Sequence, residues 1–211
     1  MERKEADKKE MLKKRFFIRY REMVDLDMVK MYPEKYKKRL AEAGRVTEGI
    51  NFNNNILICL GRDISKEIFL SGFSRLDYYA SYNLMGVEEL RNIYFGNYSS
   101  WNNESEDFYV NDCSSIKGDV MCLNMNMFET ANKLTEDIIM GTILSRYVSN
   151  ALKGKKLHWL YFMGTDRELK EKYPRVRAEF LKEERENFKF YDLNGRIGDI
   201  RKSTRNDIYD L

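Results

Sequence analysis

Three short apolar runs, Ile56–Leu60, Val120–Leu123 and Leu157–Met163, constrain this chain more than any other feature. Each is short for a buried helix, and none alternates apolar with polar residues, so neither face is built for water. Strands covered on both faces belong to parallel sheets, whose crossovers need intervening helices. The sequence supplies candidates in order. Ser65–Leu76 and Val87–Tyr94 read as helices, with a Tyr-rich strand at Asp77–Leu84 before the second. The polar stretch Gly96–Ser115 reads as a loop with one strand at Phe108–Val110. Phe188–Leu193 reads as a last strand. The expectation is an α/β fold, a mostly parallel sheet flanked by helices.

Chain punctuation sharpens that reading. Thr135 can cap a helix that runs to Lys153, with Ile138, Ile139, Ile143, Leu144, Tyr147, Val148 and Leu152 on its inner face and Gly154 closing it. Thr165 and Glu168 have capping-box spacing for the helix after the third run. A charged helix follows Pro174 to about Asn187.

The N-terminal segment differs in kind. Residues 7–32 contain neither Gly nor Pro, and Leu12, Phe16, Tyr20, Met23, Val24 and Met28 recur at helical spacing. Pro33 ends or bends that helix, and a shorter basic helix, Glu34 to Ala43, is expected to stop at Gly44 as its C′ residue. From Gly44 to Asn55 two glycines and four asparagines read as a linker, which gives a helical arm and linker over residues 1–50 and an α/β domain over 51–211. Residues 1–39 carry fourteen Lys/Arg against eight Asp/Glu, whereas the rest of the chain carries 23 against 26. A basic arm on a near-neutral body suits an acidic partner, nucleic acid or an acidic protein face; the plainer reading is a solvated helix face. Lys13, Lys14, Arg15, Arg19 and Arg21 are the candidate contacts.

Composition excludes several classes. No apolar run approaches the ~20 residues of a membrane span, and the charged N-terminus is no signal peptide. Cys59, Cys113 and Cys122 show no metal or redox spacing. Cys59 and Cys122 sit inside apolar runs and fit buried free thiols, and the count suits a reducing cytoplasm. The single histidine, His158, lies inside an apolar run, where a hydrogen-bonded structural role is commoner than catalysis. Glu104, Glu106, Asp107, Asp112 and Asp119 are the densest acidic group, a solvated loop unless two or three converge as in a metal-dependent nuclease.

The segment Gly61-Arg-Asp-Ile-Ser65-Lys66-Glu67 follows an apolar run and opens a helix, the place of a phosphate-binding loop. A working loop reads GxxxxGK[ST]. Here the spacing is one residue short, Ser65 stands for the second glycine, and Glu67 for the hydroxyl that binds magnesium. An anion at that position would repel phosphates.

Fifty-three residues after Lys66 comes Asp119-Val-Met-Cys-Leu-Asn124-Met125-Asn126, a strand ending where a Walker B motif places two acids. Ile143-Leu144-Ser145-Arg146-Tyr147, the run Leu157–Met163, Gly164-Thr165-Asp166 and Leu169-Lys170-Glu171-Lys172-Tyr173 then follow in order. Over roughly residues 56–201 this texture resembles the AAA+ ATPase domain of bacterial helicase loaders and transposition helper ATPases. The resemblance implies a vestigial nucleotide site at Gly61, Ser65, Lys66 and Asn124. Asn124 and Met125 cannot supply the charge or the base that hydrolysis needs, so no ATP or magnesium cofactor is expected. Arg175 and Arg177 fall where the family often places an arginine finger, although both also read as exposed arginines on a charged helix. The implied role is an inactive ATPase that docks on a replicative helicase, a loader or a related ATPase, with oligomerisation possible. The alternative is a stand-alone nucleic-acid-binding protein, its basic helices on phosphates and Tyr78, Tyr79, Tyr82, Tyr94 and Trp101 stacking on bases.

Overall fold

A computed structural model describes residues 10, 23, 26–78, 80–96, 118–126, 132–150, 156–180 and 188–196. Its elements are α1 (Leu26–Met31), α2 (Pro33–Val46), β1 (Asn55–Cys59), α3 (Ser65–Arg75), β2 (Tyr82–Gly86) and α4 (Val87–Gly96). They continue with β3 (Val120–Asn124), α5 (Lys133–Asn150), β4 (Leu157–Phe162), α6 (Asp166–Lys172), α7 (Pro174–Glu179) and β5 (Phe188–Asp192). The chain divides into two compact units. A helical unit comprises Met1–Asn53, Arg62–Ala80 and Leu193–Leu211, and a sheet unit comprises Asn54–Gly61 and Ser81–Asp192.

The sheet unit holds five strands in the order β2-β3-β4-β1-β5, and every neighbouring pair is parallel. The three apolar runs are its three inner strands. Side chains alternate across the sheet with a period of two. Leu57, Cys59, Met121, Leu123, Leu160 and Phe162 lie in one buried cluster with Leu90 of α4, Ile138, Ile139 and Ile143 of α5, Leu169 of α6 and Val176 of α7. The residues between them, Ile56, Ile58, Val120, Cys122, Trp159 and Tyr161, are fully buried as well. Burial on both faces explains why these strands carry unbroken apolar runs. The edge strands β2 and β5 are only partly covered.

In the helical unit α1 ends at Met31, and Pro33 starts α2 at the first helical position, where its missing N–H costs nothing. The helix does not stop at Gly44. It runs through to Val46 because arginines take up its terminal carbonyls. Arg75 donates to Thr47 O at 2.5 Å and Gly44 O at 3.0 Å, and Arg196 to Val46 O at 2.9 Å and Glu48 O at 2.7 Å. The Thr47 hydroxyl closes the last turn onto Ala43 O.

Other boundaries also move. The second strand is Tyr82–Gly86 rather than Asp77–Leu84. The long helix begins at Lys133, capped by Asn132, whose Oδ1 accepts from Thr135 N at 2.9 Å, so Thr135 sits in the first turn. Leu144, expected inside, is exposed, because the buried face is set by Ile138, Ile139 and Ile143. The side chains of Tyr147 and Val148, the residue Leu152 and the strand expected at Phe108–Val110 lie outside the described residues. The capping box forms as expected: Thr165 Oγ1 accepts from Glu168 N at 3.2 Å, and Glu168 Oε2 from Thr165 N at 2.7 Å.

Two glycines test this geometry. Gly44 lies inside a helix with no atom within 4 Å of an added Cβ. Gly44→Ala is therefore expected to raise unfolding free energy by about 0.5–1 kcal/mol. Gly118 has φ +112°, and a Cβ there would meet the Tyr82 carbonyl carbon at 3.0 Å. Gly118→Ala is expected to cost about 1–3 kcal/mol. Urea denaturation of both variants checks the pair.

Candidate functional site

In open parallel sheets, ligands meet the loops at the carboxyl ends of the strands. That end of the sheet unit is built by the β3 terminus, the turn after β4, and the starts of α5, α6 and α7. At β3, the Asn124 Oδ1 accepts from Asn126 N at 3.1 Å, and the Asn126 Oδ1 accepts from Met163 N at 2.6 Å. Asn124 thus closes a turn at the end of β3, and Asn126 ties that turn to the end of β4. Met125 between them is fully buried. Its N–H goes to Tyr161 O at 2.8 Å, and its carbonyl accepts the Tyr173 hydroxyl at 2.7 Å. Burial raises the Tyr173 phenol well above its ordinary range, so it is a neutral donor.

The carboxylates nearby all have partners. Buried Glu136 of α5 accepts from the backbone N–H of Arg175 and Val176 at 2.7 and 3.0 Å, binding the first turn of α7. Asp137 pairs with Arg175. Asp166 is held by Arg177 and Lys170. The Arg177 guanidinium, followed by Lys170, pulls the Asp166 carboxyl below its ordinary range. Arg177 is itself buried and stacks 4.2 Å from the Phe190 ring centroid. It is not the exposed arginine of the simpler sequence reading. Cys59 is fully buried, and burial, followed by Asp192 and Asp166, pushes its thiol up to about 12, far from a reactive thiolate.

The opposite end of the sheet carries its own polar cluster. His158 is fully buried, and its Nδ1 lies 3.1 Å from Asn55 Oδ1, which also accepts the His158 backbone N–H at 2.8 Å. Arg146 of α5 donates Nε to His158 Nε2 at 3.3 Å and Nη2 to Gly118 O at 3.1 Å. An accepting Nε2 requires the proton on Nδ1, which then donates to Asn55. Burial and the neighbouring Arg146 charge lower the imidazole to about 3. Asp119, one of the five acids noted in the sequence, sits beside this group. It accepts the Ser81 N–H at 2.8 Å and hydroxyl at 2.7 Å, and pairs with Lys156 at 3.3 Å. Glu104, Glu106, Asp107 and Asp112 lie outside the described residues.

The residues singled out for nucleotide are divided between the units. Gly61 and Asn124 belong to the sheet unit, Ser65 and Lys66 to the helical unit. Ser65 is buried, its hydroxyl 3.5 Å from Asp63 Oδ1, and Lys66 is exposed. Among the described residues, no group of three His, Cys, Asp or Glu side chains could hold a metal ion. No described helix is long and apolar enough to cross a membrane. The basic contacts Lys13, Lys14, Arg15, Arg19 and Arg21, with Tyr79 and Trp101, lie outside the described residues. What the sequence reading missed are the partners: Glu136, Arg146 and Asn55 look unremarkable in sequence, and their roles depend on contacts between residues far apart in the chain.

No family model matches this chain, and no curated protein does. Among solved structures it is similar to AMPPCP-bound DnaA from Aquifex aeolicus, at 10% identity and a TM-score of 0.46, over 82% of this chain and 51% of that one. The chain thus spans about half the length of that structure.

His158 gives a pH test. Its imidazole is neutral in the fold but binds a proton near its ordinary value of 6.5 once unfolded. Its contribution is thus fully present above pH 6.5 and is lost as pH falls from there toward 3. The slope is at most about 1.4 kcal/mol per pH unit. His158→Gln is expected to flatten that loss relative to wild type, read as unfolding free energy at pH 7, 6, 5 and 4.

Proposed function

We propose that this protein is an AAA+-like binding protein that has given up nucleotide turnover and acts by docking on a replicative helicase, a helicase loader or a related ATPase. One observation carries the reading. The end of β3, where two acids would hold magnesium and polarise water, is Asn124-Met125-Asn126, with both asparagines accepting backbone N–H groups and Met125 in the core. Neither an amide nor a thioether can take a proton as a general base, and neither offers the charge of a carboxylate to a metal ion. The order of segments after β1 and the all-parallel sheet support placing the chain beside that family. The docking surface is the basic N-terminal segment, through Lys13, Lys14, Arg15, Arg19 and Arg21.

A second reading, stand-alone nucleic-acid binding, is favoured by the exposed cations Lys35, Lys37, Lys38 and Arg45 along α2. Salt separates the two. Binding driven by several phosphates falls steeply with log salt, roughly one order for each order of salt per phosphate neutralised.

Purified protein incubated with magnesium and ATP, with and without single-stranded DNA, is expected to release phosphate no faster than the blank; robust turnover would sink the proposal. Substituting Lys13, Lys14 and Arg15 together by Glu is expected to weaken capture of a replicative helicase about tenfold at low salt and less at high salt, as exposed charges of ~0.3–1 kcal/mol each allow. Undiminished capture would remove the arm from the interface.

A further inference from the structure

Among its described residues the helical unit has two buried carboxylates, and each is neutralised across the same junction. Glu67, in the first turn of α3, receives Arg39 of α2 through Nε at 2.7 Å and Nη2 at 3.3 Å. The same Nη2 also donates to the carbonyl oxygen of Asp63. In the other direction, Arg62 pairs with Glu42 of α2. Glu67 and Glu42 have only 5% and 9% of their side chains exposed, while Arg39 and Arg62 reach in from the half-exposed rim.

Residues 62–67 are therefore held to α2 at three points: the Arg62 side chain, the Asp63 carbonyl and the Glu67 carboxylate. A buried carboxylate stripped of its arginine is strongly unfavourable, because the cost of desolvation stays while the attraction is lost. Movement of residues 62–67 away from α2 would leave two such carboxylates.

We propose that α2 is a built-in clamp on residues 62–67, so that an N-terminal helix, rather than a bound nucleotide, sets the conformation of the loop that follows β1. The loop is then in one state whether or not ATP is present, and only displacement of α2 releases it. This inference rests on the ion pairs alone and does not depend on which partner the arm meets.

Amide hydrogen exchange of the full chain tests it. In wild type, exchange over residues 64–70 is expected to be slow and unchanged by millimolar magnesium and ATP. Arg39→Ala is expected to speed exchange over those residues about tenfold or more, with β3 and β4 unchanged, because a buried Glu67 is left unpaired. Should Arg39→Ala fail to fold, Arg62→Ala, which removes the more exposed partner, is expected to give a smaller rise confined to the same residues. Three results would overturn the clamp. One is exchange over 64–70 that neither variant alters. Another is a rise in both variants shared equally by β3 and β4, which would mean the pairs hold the whole fold. The third is slowing of the wild-type loop by magnesium and ATP, which would make nucleotide the determinant.

Discussion

β4 has a hydrogen-bonded strand on each side and no exposed residue among its six. Every polar atom on it must therefore find a partner inside the protein, or cost the full price of desolvation. His158 is the sharpest case. Its two ring nitrogens need one donor and one acceptor, and Arg146 and Asn55 supply them. Arg146 must in turn be satisfied, and Gly118, whose carbonyl it reaches, takes a positive φ. The adjacent Asp119 then joins Ser81 and Lys156. Burial pushes the Asp119 carboxyl up, but the Ser81 hydroxyl and amide and the Lys156 ammonium outweigh it and leave the group below its ordinary range. One histidine in a two-faced strand thus requires a buried amide and a buried arginine beside it at this end of the sheet.

The carboxyl ends of the strands obey the same requirement with different residues. Amide side chains close β3, a buried carboxylate receives the start of α7, and a capping box opens α6. A carboxylate that accepts from two backbone N–H groups, as Glu136 does, is held by fixed partners. Glu136, Asp137, Asp166 and Glu168 are all engaged in this way, by backbone amides or by basic side chains. Those four carboxylates at that end of the sheet unit are thus engaged by internal contacts.

The sequence made some of this legible and hid the rest, for physical reasons. Apolar runs such as Leu157–Phe162 announce inner parallel strands because two-sided burial leaves no room for alternation. The Thr165–Glu168 box was readable because its partners lie three residues apart. Long-range partners gave no such signal. Gly44 resembles a helix terminator until Arg75 and Arg196 arrive from 31 and 150 residues away to take the carbonyls around it. Leu144 looks like core, yet helix rotation set by three isoleucines leaves it exposed. Arg177 reads as a surface charge until Asp166 and Phe190 enclose it. The sequence could single out Gly61, Ser65, Lys66 and Asn124, but not that Gly61 and Asn124 belong to one unit and Ser65 and Lys66 to the other.

The residues of the Gly61–Glu67 and Asp119–Asn126 segments make structural contacts of their own. Glu67, which would repel phosphate if it faced one, instead anchors Arg39. Asn124 closes the turn after β3, and Asn126 ties that turn to the end of β4. Met125 fills core volume, where a carboxylate would be a buried charge. Each of these residues thus has a structural role in its own unit, and a substitution at one of them would meet resistance from its neighbours. Such mutual support among side chains is what singles out one native arrangement from its competitors.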